Sequence, residues 1–478
     1  MKTKAVDVAI IGAGTAGMTA YRAARKHTES IVVIESGEYG TTCARVGCMP
    51  SKLLIAAAEV SHQIDQASMF GVDVTDKKID GERVMTRVKS ERDRFVGFVE
   101  EAVADWPAEH KLQGRATFVD QHTLQIDDHT QVYAERIVIA TGSRPLVPGP
   151  WYELGDRLLV NDDVFNWERL PKRIAVVGTG VIGMELSQAL VRLGVETTLF
   201  GIGNKFGPVT DPLINAEVGR VLSEEVTVYA DAAVESVKRT DDGVSISYKE
   251  GGSTHSIEVD FLLAATGRRA NIDQLNFAAT GIATDKLGVP AFNDATGQVE
   301  DSPIFIAGDV SNAHPLLHEA ADDGRIAGDN AGRFPLLRVR PRRTPLSVVF
   351  TDPQVMLAGS NYAKLANSGA AFAVGQVSFA DQGRSRVLGK NKGLLRVYGE
   401  QGSGIFLGAE MVGPAAEHIG HLLSWAVQHR LTVQQMLDSP FYHPVIEEGV
   451  RTALRDLHKE LKMGPAPVER CLDCGPGA

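Results

Sequence analysis

The chain has 478 residues, too many for a single hydrophobic core, so two to four domains are expected. It is 44% hydrophobic and 23% charged with a net charge of -11, ordinary globular usage that argues against a nucleic-acid surface. Four cysteines are too few for a disulfide framework, no apolar run is long enough to cross a bilayer, and the short run Val8 to Ile11 follows an acid and is no signal peptide, so a cytoplasmic setting is expected.

Val6-Asp7-Val8-Ala9-Ile10-Ile11 reads as a buried parallel strand. Gly12-Ala13-Gly14-Thr15-Ala16-Gly17 follows at once, then a helix from Met18 to Lys26 and a strand Ile31 to Ile34 that ends at Glu35. Strand, glycine turn, helix, strand and acid together make the dinucleotide fingerprint in full context. The glycines let the backbone approach a pyrophosphate, the helix N-terminus holds it, and the acid bonds a ribose hydroxyl.

Residues 40–52 carry Cys43 and Cys48, with Pro50 and Lys52 just beyond. A Cys-x4-Cys pair at the first turn of a helix can close a strained, labile disulfide of the catalytic kind. Reduced, a thiol at a helix N-terminus is a poised thiolate. The other reading of the same spacing is two buried cysteines that merely pack.

Residues 83–104 place Val84, Val88, Phe95, Val99 and Val103 at helical spacing, a core face. Ala116 to Val119 and Thr123 to Ile126 read as a hairpin, and Ile137 to Ala140 as a buried strand running into Thr141-Gly142-Ser143. Residues 144–171, with four prolines from Pro145 to Pro171, read as a linker. The first pattern then repeats: strand Ile174 to Val177, turn Gly178-Thr179-Gly180-Val181-Ile182-Gly183, helix Met184 to Leu193, strand Glu196 to Phe200. Its copy ends alike, since Leu263 to Gly267 echoes Val138 to Gly142. Two modules imply two dinucleotides or a gene duplication with one dead copy, and two intact fingerprints favour the first. Ile304 to Ala307 is a further strand that leads to Gly308-Asp309, an acid at the carboxyl edge where open α/β sheets hold ligands. From about residue 340 strands and helices alternate without another nucleotide motif, and residues 463–478 form a tail with Cys471 and Cys474.

In its order of parts the chain to about residue 462 resembles the flavin-dependent pyridine nucleotide–disulfide oxidoreductases. Those parts are the first fingerprint, the Cys-x4-Cys, Ala140-Thr141-Gly142, the second fingerprint, Ala265-Thr266-Gly267, Gly308-Asp309, and His443-Pro444 with Glu448. Ser51-Lys52 looks more like the lipoamide or mercuric members than the glutathione ones, and Leu316-Leu317-His318 resembles the lipoamide members. Soluble transhydrogenases share the fold but lack the cysteine pair.

The resemblance implies an α/β fold with two Rossmann-like dinucleotide-binding domains and a C-terminal α+β dimerisation domain. FAD would be held by residues 1–145 and 271–340, NAD(P) by 146–270, and the dimer interface by 341–462. Gly12, Gly14, Gly17 and Glu35 would bind the ADP half of FAD, Ala116, Thr141, Gly142 and Ser143 would line it, and Asp309, Leu317 and His318 would contact the rest. Gly178, Gly180, Gly183, Gly201 and Gly267 would serve the nicotinamide nucleotide, and Lys52 would lie near the flavin, paired with Glu185.

Cys48 would face the flavin as a charge-transfer thiolate, Cys43 would exchange with the external disulfide, and His443, oriented by Glu448, would act as base from the other subunit of a homodimer. A small disulfide or a lipoyl domain is the implied substrate, with no metal, nucleic acid or membrane partner. Glutathione, mercuric or other reductases of the family are the alternatives, with a slowly turning flavoprotein binding partner behind them.

Gly17 to Glu35 spans eighteen residues, and 183 plus eighteen is Gly201, so glycine stands where the NAD-selecting acid is expected. Weak discrimination follows, with NAD(H) favoured, NADP(H) possible, and Lys205 a candidate partner for a 2′-phosphate. Arg45, between the cysteines, is expected to lower a thiol pKa or to meet an anionic substrate.

Overall fold

The computed structural model describes residues 1–463, which divide into two compact units: residues 1–203 with 226–342, and residues 204–225 with 343 onward. Cys471 and Cys474 lie outside the described residues.

The first unit opens with β1 (Lys2–Ile11), α1 (Thr15–Ala24) and β2 (Ile31–Glu35), followed by a short helix α2 (Thr42–Val46), α3 (Cys48–Gln66) and α4 (Gly81–Ala104). Strands β3 (Lys111–Gln113), β4 (Ala116–Phe118), β5 (Thr123–Ile126) and β6 (Thr130–Ile139) complete the first module together with a later strand, Ile304–Ile306. The sheet order is β3-β2-β1-β6-β5-β4, with the later strand on β6. The pairs around β1 are parallel, and the β4–β5–β6 edge is antiparallel. The last four residues of β1 are apolar without alternation because both faces are covered there: Val8 and Ile10 enter one core cluster, Ala9 and Ile11 the other. On α4 Val88 and Val103 are buried as expected and Val99 packs partly buried against the core, while at the other two turns Met85 and Val96 are buried in place of Val84 and Phe95.

The stretch expected to be a linker is structured. It holds β7 (Ser143–Pro145), a 3-10 segment with Trp151 and Leu154 buried, β8 (Leu158–Leu159) and α5 (Asn161–Val164). Pro145 ends the short edge strand β7, and Pro148 and Pro150 sit at the start of the 3-10 segment, where no backbone N–H is missed. The second module follows as β9 (Arg173–Val177), α6 (Val181–Arg192) and β10 (Glu196–Phe200). Next in the chain comes α7 (Pro212–Leu222), which belongs to the second unit. The first unit resumes with β11 (Thr227–Tyr229), the antiparallel trio β12 (Ala233–Arg239), β13 (Val244–Glu250) and β14 (Ser253–Val259), then β15 (Phe261–Ala264), β16 (Arg268–Ala270), β17 (Ile304–Ile306, the later strand) and α8 (Leu317–Arg333). The second sheet, β11-β10-β9-β15-β8, is wholly parallel, and its β10-β9-β15 core repeats the β2-β1-β6 core of the first.

The identity of the two modules reaches atomic detail. A Cβ on Gly17 would lie 1.8 Å from the carbonyl oxygen of Gly12, and one on Gly183 would lie 1.8 Å from that of Gly178. Only glycine lets the helix pack this closely on the preceding turn.

The second unit is an antiparallel sheet in the order β18 (Leu346–Val349), β19 (Gln354–Gly359), β22 (Phe406–Gly413), β21 (Leu394–Glu400), β20 (Phe372–Ser378). Short helices α9 (Tyr362–Asn367), α10 (Gly383–Val387) and α12 (Val433–Leu437) connect it, and α11 (Ala416–Gln428) and α13 (Glu448–Glu460) bury Ile419, Leu423, Leu454 and Leu457 against Leu395, Val397 and Met411. Two fully buried carboxylates tie α7 into this unit. Asp211 caps the helix through the Leu213 amide at 2.9 Å and accepts from Arg396 Nε at 2.6 Å, while Glu410 accepts from the amides of Thr210 and Tyr362 at 2.6 and 2.8 Å. Among the described residues, no helix is long and apolar enough to cross a membrane.

Candidate active site

One cavity of about 920 Å³ runs through the first unit. Gly12, Gly14, Glu35, Ala116, Thr141, Gly142, Ser143, Asp309 and Leu317 line it from the first module, Cys43, Cys48 and Lys52 from the helical insertion, and Gly180, Glu185 and Gly267 from the second module. Gly17, Gly178, Gly183 and Gly201 do not line it, and the first three act through backbone packing. His318 does not line it either; its ring is half exposed, with Nε2 3.8 Å from Glu319.

The local fold sets the cysteines. Thr41 Oγ1 accepts from the Ala44 amide at 3.2 Å and so caps α2, which carries Cys43. The chain breaks at Gly47 and restarts as α3 with Cys48 as its first residue. Asn161 Nδ2, from α5, donates to the Val46 carbonyl at 2.9 Å and fixes that break. Both cysteines are free thiols here. Cys48 is pulled down to about 7 by the Cys43 S–H that donates to it, with burial opposing and the Lys52 charge assisting. Cys43 is pushed well up by that same hydrogen bond and by burial. The two thiols are therefore unequal: Cys48 is the thiolate and Cys43 keeps its proton.

Lys52 Nζ lies 2.7 Å from Glu185 Oε2, and the Glu185 side chain is 4% exposed. Glu185 stands on the first turns of α6, so this pair joins the cysteine helix to the second fingerprint. Arg45 does not act on the thiols. Its guanidinium is spent on the Tyr39 carbonyl, on Glu100 at 2.6 Å and on Glu38 at 3.1 Å, where it pins α2 to α4. The cation acting on Cys48 is Lys52.

The cavity walls fit FAD. A Cβ on Gly14 or Gly142 would meet nothing within 4 Å, so both backbones face open space, the first at the N-terminus of α1 where a pyrophosphate is stabilised. Glu35 accepts from the Ala13 amide at 2.7 Å and the Gly37 amide at 2.9 Å, which leaves carboxylate lone pairs for ribose hydroxyls. Ser143 Oγ donates to Asp309 at 2.8 Å and accepts from Arg268 Nε at 2.8 Å. Sequence reading assigned no role to Arg268, Asn161 or Phe165, although all three line the cavity. Arg268 follows the second Ala-Thr-Gly directly and could have been suspected. Asn161 and Phe165 lay in the supposed linker and carried no signal.

In the second unit His443 Nδ1 is 3.0 Å from Glu448 Oε2, and Arg451 donates to Glu448 Oε1 at 2.8 Å. Burial pulls the Glu448 carboxyl up, but the hydrogen bonds from His443 and the Val445 amide and the Arg451 charge outweigh it and hold it below the usual carboxylate range. The His443 side chain is 80% exposed.

Residues 6–324 match the family described as pyridine nucleotide-disulphide oxidoreductase, and residues 346–454 match its dimerisation domain. The chain belongs to this family. It is 28% identical over 446 residues to the dihydrolipoyl dehydrogenase of Geobacillus stearothermophilus, covering 92% of this chain and 94% of that protein. It is 30% identical over 452 residues to the mercuric reductase of Streptomyces lividans, covering 92% and 93%. Among solved structures, LpdA from Mycobacterium tuberculosis has the same fold, with a TM-score of 0.79 at 23% identity over 95% of this chain and 99% of that one. The HOCl-induced flavoprotein disulfide reductase RclA from Escherichia coli matches with a TM-score of 0.78 at 23% identity and the same coverage. The protein is thus a flavoprotein disulfide oxidoreductase that works with FAD and a pyridine nucleotide, and its dimerisation domain makes it a homodimer.

Proposed function

We propose that the enzyme passes two electrons between NAD(H) and a dithiol/disulfide substrate through Cys43 and Cys48, acts as a dihydrolipoamide dehydrogenase, and works in the cytoplasm. The observation that carries this is the unequal thiol pair in the same cavity as the glycine turn, Glu35 and Asp309. Residues 1–145 and 271–340 hold FAD in this reading, 146–270 hold the nicotinamide nucleotide, and 341–462 form the dimer contact. FAD supplies two-electron chemistry between nicotinamide and sulfur.

The chain's own groups do the rest. The hydrogen bond from the Cys43 S–H keeps Cys48 anionic, assisted by Lys52, which Glu185 holds. Cys43 exchanges with the substrate sulfur and needs a base for its proton. His443 of the partner subunit is that base, with Glu448 fixing its tautomer through Nδ1 and leaving Nε2 to take the proton. In a two-fold dimer the exchange of His443 is mutual and gives two equivalent sites.

Leu316-Leu317-His318 favours the lipoamide substrate, as do the dihydrolipoyl dehydrogenase relatives, and Ser51-Lys52 disfavours glutathione disulfide. Mercuric ion is the second candidate substrate, supported by the 30% match to a mercuric reductase. Steady-state assays with lipoamide, glutathione disulfide and mercuric ion, each with NADH and NADPH, test the assignment. Lipoamide with NADH should give the highest kcat/KM, and a higher value with mercuric ion would transfer the assignment to the second reading. His443→Ala should cut lipoamide turnover by about a hundredfold while NADH still bleaches the flavin at the native rate.

A further inference from the structure

The two modules differ at the carboxyl end of the second strand. In the first, Glu35 ends β2 and its carboxylate accepts from two turn amides, Ala13 at 2.7 Å and Gly37, two residues further on, at 2.9 Å. In the second, Gly201 follows β10, and a Cβ there would lie 2.6 Å from Cγ2 and 2.7 Å from Oγ1 of Thr179, with the Ala230 carbonyl at 3.2 Å. Thr179 is the counterpart of Ala13, and its larger side chain fills the space that an acid at residue 201 would enter. The turn amide two residues on is still capped by a carboxylate, but from a different strand: Gly203 N donates to Asp231 Oδ1 at 2.8 Å.

Asp231 is fixed beside Gly201. Gly201 N donates to the Tyr229 carbonyl at 2.8 Å and Ala232 N to the Gly201 carbonyl at 3.0 Å, so the backbone on both sides of Asp231 is pinned at the carboxyl edge of the parallel sheet. Its side chain is exposed there. This edge is where open α/β sheets present ribose-selecting groups.

We infer that Asp231 is the specificity-determining residue of the second module: the ribose-side carboxylate has moved from the end of the module's second strand to the end of its third. The inference rests on the proposed placement of the nicotinamide nucleotide in residues 146–270. An anion at this edge accepts from ribose hydroxyls and repels a 2′-phosphate. NAD(H) is then preferred although Gly201 carries no acid. The preference is modest because a surface charge is screened.

The test is calorimetric titration of the purified holoenzyme with NAD⁺ and with NADP⁺. In Asp231→Asn the amide oxygen still caps Gly203 N, so a purely structural role would leave both affinities alone. The inference expects NADP⁺ to tighten about tenfold, as removal of a like charge predicts, with NAD⁺ changed less than about threefold. In the native enzyme the gap between the two affinities should narrow as salt rises, a readout that needs no variant. An affinity ratio indifferent to both Asp231→Asn and salt, or a gap that widens with salt, overturns the inference while leaving the nucleotide site in place. Failure of both nucleotides to bind overturns the placement and the inference together.

Discussion

The first and second nucleotide modules share strand order, glycine turn and helix packing down to the same 1.8 Å clearance, yet they treat the acid after the second strand oppositely. The first keeps Glu35 and folds its carboxylate back onto two amides, Ala13 and Gly37. The second gives up the acid, fills its place with Thr179 and borrows Asp231. In the proposed placement the first carboxylate, tied to two amides, serves FAD, and the second, exposed and tied to one, serves the nicotinamide nucleotide, so one common frame carries two different ribose edges.

The comparison breaks most severely at Glu35. Glu35→Ala removes the carboxylate proposed to accept from the ribose hydroxyls, at about 1.5–3 kcal/mol for each of two charged hydrogen bonds, and unbraces the Ala13 and Gly37 amides, so FAD retention measured by dialysis should fall by about a hundredfold or more. Next comes the reciprocal change. Gly201→Glu alone forces a side chain into Thr179, at the overpacking cost of about 1–3 kcal/mol, and should weaken NAD⁺ and NADP⁺ alike by about tenfold or more. Adding Thr179→Gly should restore NAD⁺ binding. A double variant no better than the single one would show that Thr179 is not the obstacle.

A smaller effect sharpens what joins the modules. The Lys52–Glu185 pair spans them beside Cys48, and the Cys48 thiol is lowered to about 7. Because the folded value lies below that of a free thiol, the thiolate is present above about pH 7 and lost as the pH falls through it. Ultraviolet thiolate absorbance of the reduced protein should titrate there. Lys52→Met removes the assisting cation and leaves Glu185 opposing, so the midpoint should move up.

Much of this was legible in the sequence because it rests on short-range requirements. The two glycine turns, the strand ends at Glu35 and Asp309, and the cysteine spacing each depend on residues close in the chain. What was not legible depends on distant partners. Arg45 looked like a charge for the thiols, but Glu100, fifty-five positions away, holds it. Residues 144–171 looked like a linker because their prolines break helices, yet Trp151 and Leu154 are buried and Asn161 braces the cysteine turn. The glycine at 201 was visible, but its obstruction by Thr179 and the cap from Asp231 required the packed turn.

The cysteine relay is tested most directly by anaerobic mixing of NADH with the Cys43→Ser holoenzyme, followed by lipoamide. NADH should bleach the flavin at the native rate, since Cys43 takes no part in nucleotide binding, and lipoamide should not restore the colour that it restores in the native enzyme. Recovery at the native rate in Cys43→Ser would show that electrons reach the substrate without this sulfur and would contradict the account.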